Sequence, residues 1–167
     1  VPILVHGLLH GTPKLREQAA LGMAEMVELT NTRVLSPFVI KLIGPLIRVV
    51  SDRFPWQVKA AILRTSLRLL QKAPAILRTF APQLQTTFVK SLSDENRMVR
   101  IRACKCLGAL APLQARIEPL LRELLAVGIN GPSPEASTAS FRSFSRVVRN
   151  ARKVPESILH EIGRASC

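Results

Sequence analysis

Histidine and cysteine are the side chains of this sequence best suited to hold a metal ion or act as nucleophiles. His6 and His10 stand four residues apart, so they share one face if that segment is helical. Two ligands do not complete a zinc site, and no nearby Asp, Glu or Cys completes the set. Cys104 and Cys106 lie two apart on a predicted helix and point in different directions, which argues against a disulfide between them. We predict no metal site and no disulfide framework.

Catalytic motifs are missing from the sequence as well. The third histidine, His160, is distant in sequence from the cysteine pair, and we find no glycine-rich phosphate loop, zinc-ligand spacing or serine nucleophile elbow. We therefore predict that the chain is not an enzyme, has no cofactor and takes no small-molecule substrate. Its function then depends on surfaces that bind macromolecules.

Positive charge is the strongest chemical feature of the chain. It has 24 Lys and Arg against 11 Asp and Glu, a formal net charge of +13. Such a balance attracts nucleic acid, ribosome surfaces, acidic proteins or anionic membranes. No apolar run approaches the roughly 20 residues of a membrane span, and the start of the chain has no signal-peptide pattern. We predict a soluble, intracellular protein with reduced thiols and no membrane partner.

An internal repeat indicates the elements that must position these charges. Hydrophobic residues make up 47% of the chain and aromatic residues only 4%, which favours helices packed through aliphatic side chains. An aliphatic–basic pair recurs at intervals of 43 and 41 residues, within the roughly 40 to 47 expected of HEAT or armadillo units. The pairs are Leu15-Arg16, Val58-Lys59 and Val99-Arg100. The sequence predicts an all-α, HEAT-repeat α-solenoid of about four helix pairs.

The unit boundaries follow from this repeat. We interpret residues 1–167 as a single HEAT-repeat segment of a longer solenoid, with units at about 1–30, 36–73, 75–111 and 115–153 and a tail at 154–167. The predicted first helices are Pro2–Leu9, Ser36–Val50, Ala81–Leu92 and Ile117–Val127. The predicted second helices are Pro13–Leu29, Val58–Lys72, Arg97–Leu110 and Glu135–Arg152. The breaker-rich stretch Gly128–Pro134 is predicted to be a loop.

Basic residues occupy one sector of the second helices on a helical wheel, opposite the apolar stripe. In the first unit the same sector holds Glu25 and Glu28. Second helices line the concave surface of HEAT solenoids, so the HEAT pattern implies a basic concave face with an acidic N-terminal end. The alternative is that long basic side chains only solvate a helix face and cover apolar surface with their stems. The predicted basic residues are Arg64, Arg68, Lys72, Arg102, Lys105, Arg142, Arg146, Arg149 and Lys153.

Aspartate residues mark the turns between the two helices of a unit. Asp52 and Asp94 stand where HEAT repeats usually carry Asp. We predict that Lys59 and Arg100 bond the turn aspartate of their own or a neighbouring repeat, which would staple the units together.

One turn differs from the others because it holds the only tryptophan of the chain. Arg53 and Trp56 are of the residue types that dominate binding hot spots. The alternative is that Trp56 and the nearby Phe54 fill the core between repeats.

Three segments, residues 43–54, 58–60 and 82–92, carry a specific resemblance. They are similar to the very large HEAT-repeat translational activators of the general amino-acid control pathway, and most similar to the C-terminal repeats of those proteins. The resemblance is dense from Leu15 to Leu110 and weak beyond Gln114, where a Ser- and Arg-rich stretch replaces the aliphatic repeat. Members of that family ride on ribosomes and activate the kinase of the initiation factor two alpha subunit.

The resemblance implies a non-catalytic, cytoplasmic scaffold of the stress response. It would bind the kinase's RWD domain, ribosomes or both, and so activate the kinase under amino-acid starvation. The alternatives are a basic solenoid surface that binds ribosomes or RNA directly, and a generic HEAT adaptor such as a transport receptor or phosphatase scaffold. The predicted protein-binding residues are Arg48, Arg53, Trp56, Lys59, Arg64 and Arg68, and the predicted basic concave face comprises Lys72, Arg102, Lys105, Arg142, Arg146 and Arg149.

Overall fold

The computed structural model describes residues 1–51 and 53–158, and every regular element in those residues is helical. Short 3₁₀ turns follow α5 at Arg78–Phe80 and α7 at Ala111–Leu113. The predicted all-α class is confirmed. The α-helices are α1 (Pro2–His10), α2 (Pro13–Leu29), α3 (Thr32–Val50), α4 (Trp56–Lys72), α5 (Pro74–Leu77), α6 (Ala81–Ser91), α7 (Arg97–Leu110), α8 (Glu118–Asn130) and α9 (Pro134–Asn150).

The helices pack in pairs, and the pairs stack. Helix α1 packs on α2, α3 on α4, α6 on α7, and α8 on α9. Successive second helices also contact each other, α2 with α4, α4 with α7 and α7 with α9, and we call these four the second-helix layer. Helices α1, α3, α6 and α8 contact one another in the same order and form the first-helix layer. Each repeat therefore buries its apolar face against its neighbours, as a solenoid requires.

Aliphatic side chains fill the space between the two layers. Leu42 and Leu46 of α3, Leu63 of α4 and Leu107 of α7 are completely buried, and Phe88 of α6 is 1% exposed. Burying one side chain of this size stabilises the fold by about 1.5–3 kcal/mol. The core is therefore continuous from one repeat to the next, and it holds the second helices in a fixed register.

Side-chain caps fix the start of two second helices at the residues that the sequence predicts. The Thr12 hydroxyl accepts a hydrogen bond from the Leu15 backbone N–H at 3.3 Å, with Pro13 at the first position of α2. The Asn96 side chain accepts from the Met98 N–H at 2.8 Å at the start of α7. Other helix ends lie within a few residues of their predicted positions, with two exceptions.

The first exception is α3, which begins at Thr32 rather than at the predicted Ser36. Its cap is Asn31, whose side chain accepts from the Arg33 N–H at 2.9 Å. Pro37 lies inside the helix. The predicted start was therefore four residues too late.

The second exception is the predicted loop Gly128–Pro134, whose first three residues belong to α8. Gly128 is buried in the helix, and a Cβ added there would lie 2.8 Å from the Phe141 ring. This glycine serves close packing of α8 against α9 rather than a turn. Helix α9 then begins at Pro134, where the Ser133 hydroxyl accepts from the Ala136 N–H at 3.2 Å.

Hydrogen bonds between neighbouring second helices repeat at one period. In each, a side chain of the later helix donates to a backbone carbonyl oxygen of the earlier one, 42 to 45 residues back. This separation matches the predicted repeat length. The bonds join Thr65 to Ala20 at 2.7 Å, Lys72 to Glu28 at 2.6 Å, Arg102 to Ala60 at 2.5 Å, Cys106 to Leu63 at 3.2 Å and Asn150 to Gly108 at 2.9 Å.

The cysteines of α7 are part of this packing. Cys104 and Cys106 are both free and buried. Burial raises the pKa of the Cys106 thiol well above its ordinary value, so the thiol stays protonated and can donate to the carbonyl of Leu63. Cys167 and His160 lie outside the described residues. Within the residues that are described, no helix has the length and apolar character needed to cross a membrane.

Candidate functional site

The first candidate surface lies where the turn before α4 meets the turn before α7. Three of the predicted protein-binding residues, Arg53, Trp56 and Lys59, come together there. Arg53 is exposed and Trp56 is 43% exposed, so both can reach a partner. We call this the turn surface, a groove of about 610 Å³ lined by Arg53, Phe54, Trp56, Lys59, Ser93, Asp94, Glu95 and Asn96.

An ion pair across two repeats holds the turn surface together. Lys59 Nζ lies 2.8 Å from Asp94 Oδ2, and Asp94 Oδ1 accepts from the Asn96 N–H at 2.9 Å. The predicted bond between Lys59 and a turn aspartate is confirmed. Arg100 bonds the same turn differently, because its guanidinium donates to the carbonyl oxygens of Asp94 at 2.8 Å and Glu95 at 2.7 Å rather than to a carboxylate. Lys59 and Arg100 thus fix the turn. The other predicted turn aspartate, Asp52, lies outside the described residues.

Phe54 and Trp56 divide the two roles that the sequence left open. Phe54 is half-buried and packs against the core, whereas Trp56 is exposed on the turn surface. The guanidinium carbon of Arg16 lies 4.4 Å from the centre of the Phe54 ring, a cation–π contact. Arg16 also donates to the carbonyl oxygen of Gly11, in the turn before α2, at 2.7 Å and to that of Leu8, in the last turn of α1. Sequence reasoning missed this role, although Arg16 belongs to one of the aliphatic–basic pairs.

The second candidate surface is the exposed side of the second-helix layer, and its N-terminal part carries paired cations. Arg68 Nη2 of α4 lies 3.4 Å from Glu28 Oε1 of α2. Lys72 Nζ, one turn further along α4, donates to the Glu28 carbonyl oxygen at 2.6 Å. The two predicted binding residues Arg68 and Lys72 therefore both end on Glu28, while Glu25 is exposed on the same helix.

Between α4 and α7 the basic residues stand close to each other. Arg64 is half-buried on α4, and Arg102 of α7 reaches the Ala60 carbonyl oxygen. Burial first, and then the nearby charge of Arg64, lower the pKa of Arg102 from its usual value. The guanidinium remains charged because arginine does not lose its proton in proteins. Arg102 is thus held by the fold, and it repels Arg64.

Between α7 and α9 the basic residues line a groove of about 630 Å³, which we call the basic groove. Four predicted members of the basic face meet here, and Glu135 is the one acidic residue among those that line it. Within residues 1–51 and 53–158 the ion pairs join Lys59 to Asp94, Arg68 to Glu28, and Arg122 to Glu118, so none involves the groove. The basic side chains of the groove are Arg97, Arg100, Lys105, Arg142, Arg146 and Arg149.

A second groove of about 580 Å³ adjoins the basic groove between α4, α7 and α9. Lys105 and Arg146 line both grooves and so join them. The second groove adds two more cations, Arg78 and Arg152. A run of positive charge therefore continues along α7 from its first residue to the 3₁₀ turn that follows it.

Gly108 lets α9 approach α7 closely at the junction of the two grooves. A Cβ at position 108 would lie 2.5 Å from Arg146 Cγ and 2.6 Å from its Cδ, so the arginine stem rests directly on the glycine. Asn150 donates to the Gly108 carbonyl oxygen beside it. The stem of Arg146 is positioned by this packing, while its guanidinium remains exposed at the surface.

The structure separates one predicted site residue from the rest, and it adds others. Arg48 is exposed in the last turn of α3, in the first-helix layer, and lines neither the turn surface nor the basic groove. Arg97 was missed, although it stands eight residues before Lys105 on one helical stripe, a spacing that the same wheel analysis detects. Arg78 was missed because it lies outside the second helices, and Arg152, the last residue of the predicted fourth second helix, lies beyond the end of α9.

No third potential metal ligand lies beside the histidine pair of α1 within the described residues. The His6 and His10 rings lie with their centres 4.8 Å apart, tilted by 40°. Among the residues described, no group of three or more His, Cys, Asp or Glu side chains is placed to hold a metal ion.

The paired, stacked layers define the class as a HEAT-repeat solenoid. A family model described as a HEAT-like repeat matches residues 56–110, which covers α4 to α7. The predicted HEAT solenoid is therefore confirmed. No solved structure gives a match to the chain.

Comparison with curated proteins identifies the particular relatives. The chain is 50% identical over 125 residues to the protein ILITYHIA of Arabidopsis thaliana, which covers 75% of the chain and 5% of that protein. The human "Stalled ribosome sensor GCN1" is 46% identical over 125 residues, with the same shares. The "eIF-2-alpha kinase activator GCN1" of Saccharomyces cerevisiae is 45% identical over 152 residues, 90% of the chain and 6% of that protein.

The resemblance found in the sequence is therefore confirmed, and the chain is homologous over at least three quarters of its length to a segment of the GCN1 proteins. It spans only about 5 to 6% of the length of these curated relatives.

Proposed function

We propose that the chain is a non-catalytic scaffold segment of a cytoplasmic translational regulator. It binds the RWD domain of an eIF-2-alpha kinase and ribosomes, and in this way helps to activate the kinase under amino-acid starvation. The observation that carries the proposal is the 45 to 46% identity to proteins named eIF-2-alpha kinase activator and stalled ribosome sensor.

The turn surface is the part of the chain best suited to the kinase. Arg53 and Trp56 are exposed side by side, and Trp and Arg are the residues most often found in binding hot spots. An acidic patch on the RWD domain would complement Arg53, while the apolar ring of Trp56 would be buried. Lys59 supports this surface indirectly, because its ion pair with Asp94 fixes the turn.

Two further predicted residues contribute to this proposal in different degrees. Arg64 lies half-buried on α4 beside Arg102, so a partner reaches it less easily than it reaches Arg53. Arg48 lies on the first-helix layer and would contact a partner only if that partner wraps around the solenoid.

The test is a pulldown titration of this 167-residue chain against an isolated RWD domain and against purified ribosomes, at about 50 and 200 mM salt. We expect Arg53→Ala to weaken RWD binding about tenfold, the loss that corresponds to ~1.4 kcal/mol at a hot-spot residue. Arg64→Ala should have a smaller effect because its side chain is half-buried. Arg33→Ala, which removes an exposed arginine of α3 away from both surfaces, is the matched control.

The outcomes separate the candidate functions. RWD binding that survives Arg53→Ala and Trp56→Ala unchanged would remove the turn surface from the proposal. Binding to ribosomes alone, lost at the higher salt, would leave the basic face as the functional surface. That candidate is favoured by the cations of the basic groove, which have no ion pair among the described residues. Binding to neither partner would contradict the proposed function and favour a generic HEAT adaptor.

A further inference from the structure

We infer that the basic groove between α7 and α9 binds the phosphate backbone of RNA. The inference rests on the proposed function, because it gives the ribosome-binding part of that function a location and a chemistry.

The basic groove carries far more positive than negative charge. Its six basic side chains face one carboxylate, Glu135, and within residues 1–51 and 53–158 none of the six is part of an ion pair. Arg97, Lys105, Arg142 and Arg149 are exposed, so their charges are directed to solvent. Neutralising such a cluster with phosphates releases the counterions of the nucleic acid, which is the main source of affinity in backbone binding.

The cations form two rows, one on each of two neighbouring helices of the second-helix layer. At 1.5 Å per residue the α7 row, with steps of three and five residues, is ~12 Å long, and the α9 row, with steps of four and three residues, is ~10–11 Å long. Two facing rows of this length can hold a run of successive phosphates from both sides. The α7 row is Arg97, Arg100 and Lys105, and the α9 row is Arg142, Arg146 and Arg149.

The residues that line the groove favour nucleic acid over an acidic protein as its partner. The apolar residues of the lining are Ile101, Cys104, Pro134 and Ala139, and no aromatic side chain lines the groove. Protein interfaces are usually anchored by large apolar or aromatic residues in desolvated pockets and carry few charges at their centre. Interfaces with nucleic acid are more polar and much more positive. The arginine guanidinium also matches phosphate oxygens through two parallel hydrogen bonds.

The second groove, between α4, α7 and α9, lengthens the inferred RNA-binding site and bears on its preference among bases. Through Lys105 and Arg146 the positive track continues to Arg78 and Arg152, along all 14 residues of α7, or ~21 Å at 1.5 Å per residue. No aromatic residue lines this second groove either, so bases have no platform to stack on. We therefore expect binding through about four phosphates, without preference for base sequence.

The experiment measures fluorescence anisotropy of a labelled 12-nucleotide oligouridylate titrated with the 167-residue chain. With about four phosphates neutralised, affinity should fall about 50-fold between 50 and 200 mM salt, given a slope near −0.7 per phosphate for single strands. The variant Arg142→Gln/Arg146→Gln/Arg149→Gln should bind at least tenfold more weakly at 50 mM salt. Each glutamine keeps the Cβ and Cγ methylenes and places its amide carbon at the Cδ position, so position 146 retains a carbon at each of the two places that rest on Gly108.

The control variant removes the same amount of charge from the first-helix layer. Arg33→Gln/Lys41→Gln/Lys90→Gln replaces three exposed cations of α3 and α6 and should change affinity less than threefold. Circular dichroism of both variants tests that they fold like the parent chain. Equal losses in the two variants would overturn the inference, because binding would then follow net charge rather than the groove.

Two further outcomes would also overturn it. The first is competition by polyglutamate of matched length as strong as competition by unlabelled oligouridylate, which would assign the groove to acidic protein. The second is the absence of oligouridylate binding at 50 mM salt. If ribosomes or the RWD domain still bind the chain in that case, the inference fails while the proposed function stands. If the chain binds oligouridylate but does not bind ribosomes, the proposed function is contradicted and the inference stands.

Discussion

The contact between α2 and α4 and the contact between α7 and α9 have the same architecture but place their cations differently. In the first, Arg68 and Lys72 both end on oxygens of Glu28. In the second, Arg142 and Arg149 line an open groove and have no ion pair within the described part of the chain. Both contacts bury apolar side chains and both cross one repeat.

This difference shows that the cations of a basic helix face in a solenoid can either bond within the fold or remain open to a partner. On α2 the Glu28 carboxylate pairs with Arg68, while Lys72 donates to the Glu28 backbone carbonyl oxygen, so both cations are held within the fold. In the basic groove, whose lining holds only one carboxylate, the same residue types are open to a partner.

The largest effect is expected at the ion pair between repeats. Asp94→Ala removes the partner of Lys59 and the oxygen that accepts from the Asn96 N–H, and leaves a half-buried ammonium without compensation. We expect the free energy of unfolding to fall by ~2 kcal/mol. Urea denaturation measures it, with Glu95→Ala, an exposed residue of the same turn, as the control. Equal losses in the two variants would show that the ion pair contributes nothing.

The next effect compares one hydrogen bond at each contact. Thr65 is completely buried and donates to the Ala20 carbonyl, so Thr65→Val should lower the free energy of unfolding by ~1 kcal/mol. Asn150 makes the corresponding bond to Gly108 near solvent, and Asn150→Ala should cost less than ~0.5 kcal/mol. Thermal unfolding of both variants measures the difference. A larger loss at Asn150 would contradict the view that the α2–α4 contact carries more of the stability.

A smaller effect follows from adding a second carboxylate to the basic groove, whose lining already includes Glu135. Ser145 is exposed and lines the groove, one turn before Arg149 on α9. Ser145→Glu should weaken oligouridylate binding about fivefold at 50 mM salt, since the new charge pairs with a neighbouring arginine. Ser145→Gln, which adds similar bulk without charge, is the control. An unchanged affinity in the glutamate variant would place the RNA elsewhere.

The smallest effect is the reverse change at the other end. Glu28→Gln removes the carboxylate that pairs with Arg68, an exposed pair whose loss should cost less than ~0.5 kcal/mol of stability. With Arg68 released, oligouridylate affinity should rise about twofold. Anisotropy titration in parallel with Glu25→Gln, the exposed neighbour on α2, isolates the effect of the pair. The same gain in both variants would mean that only net charge matters.

The sequence predicted those features of the fold that depend on neighbouring residues. Thr12 followed by Pro13 is a local capping signal, so the start of α2 was placed correctly, and the repeat spacing gave the layer arrangement. The start of α3 was predicted too late, although Asn31 provides a local cap. Gly128 resembled a turn glycine because its role depends on Phe141, which lies on the next helix.

The candidate site was predictable only in part, for a related reason. The helical wheel placed Lys105, Arg142 and Arg146 on one face, and the structure brings them together in one groove. Whether a cation is paired depends on a carboxylate about one repeat earlier, as with Arg68 and Glu28, and a wheel of one helix does not contain that information. Arg100 was assigned to the turn, and it lines the groove as well.

The regular period of the bonds between second helices also has a mechanical consequence. Each bond from Thr65, Cys106 and Asn150 reaches back 42 to 45 residues, to the preceding second helix. The bonds therefore lie one behind another along the solenoid, and tension along the chain should break them one at a time rather than together. A solenoid stretched from its ends should therefore open repeat by repeat. Each step releases about 42 residues, ~140–150 Å of contour at full extension. Such a chain should lengthen in steps of uniform size, one repeat at a time.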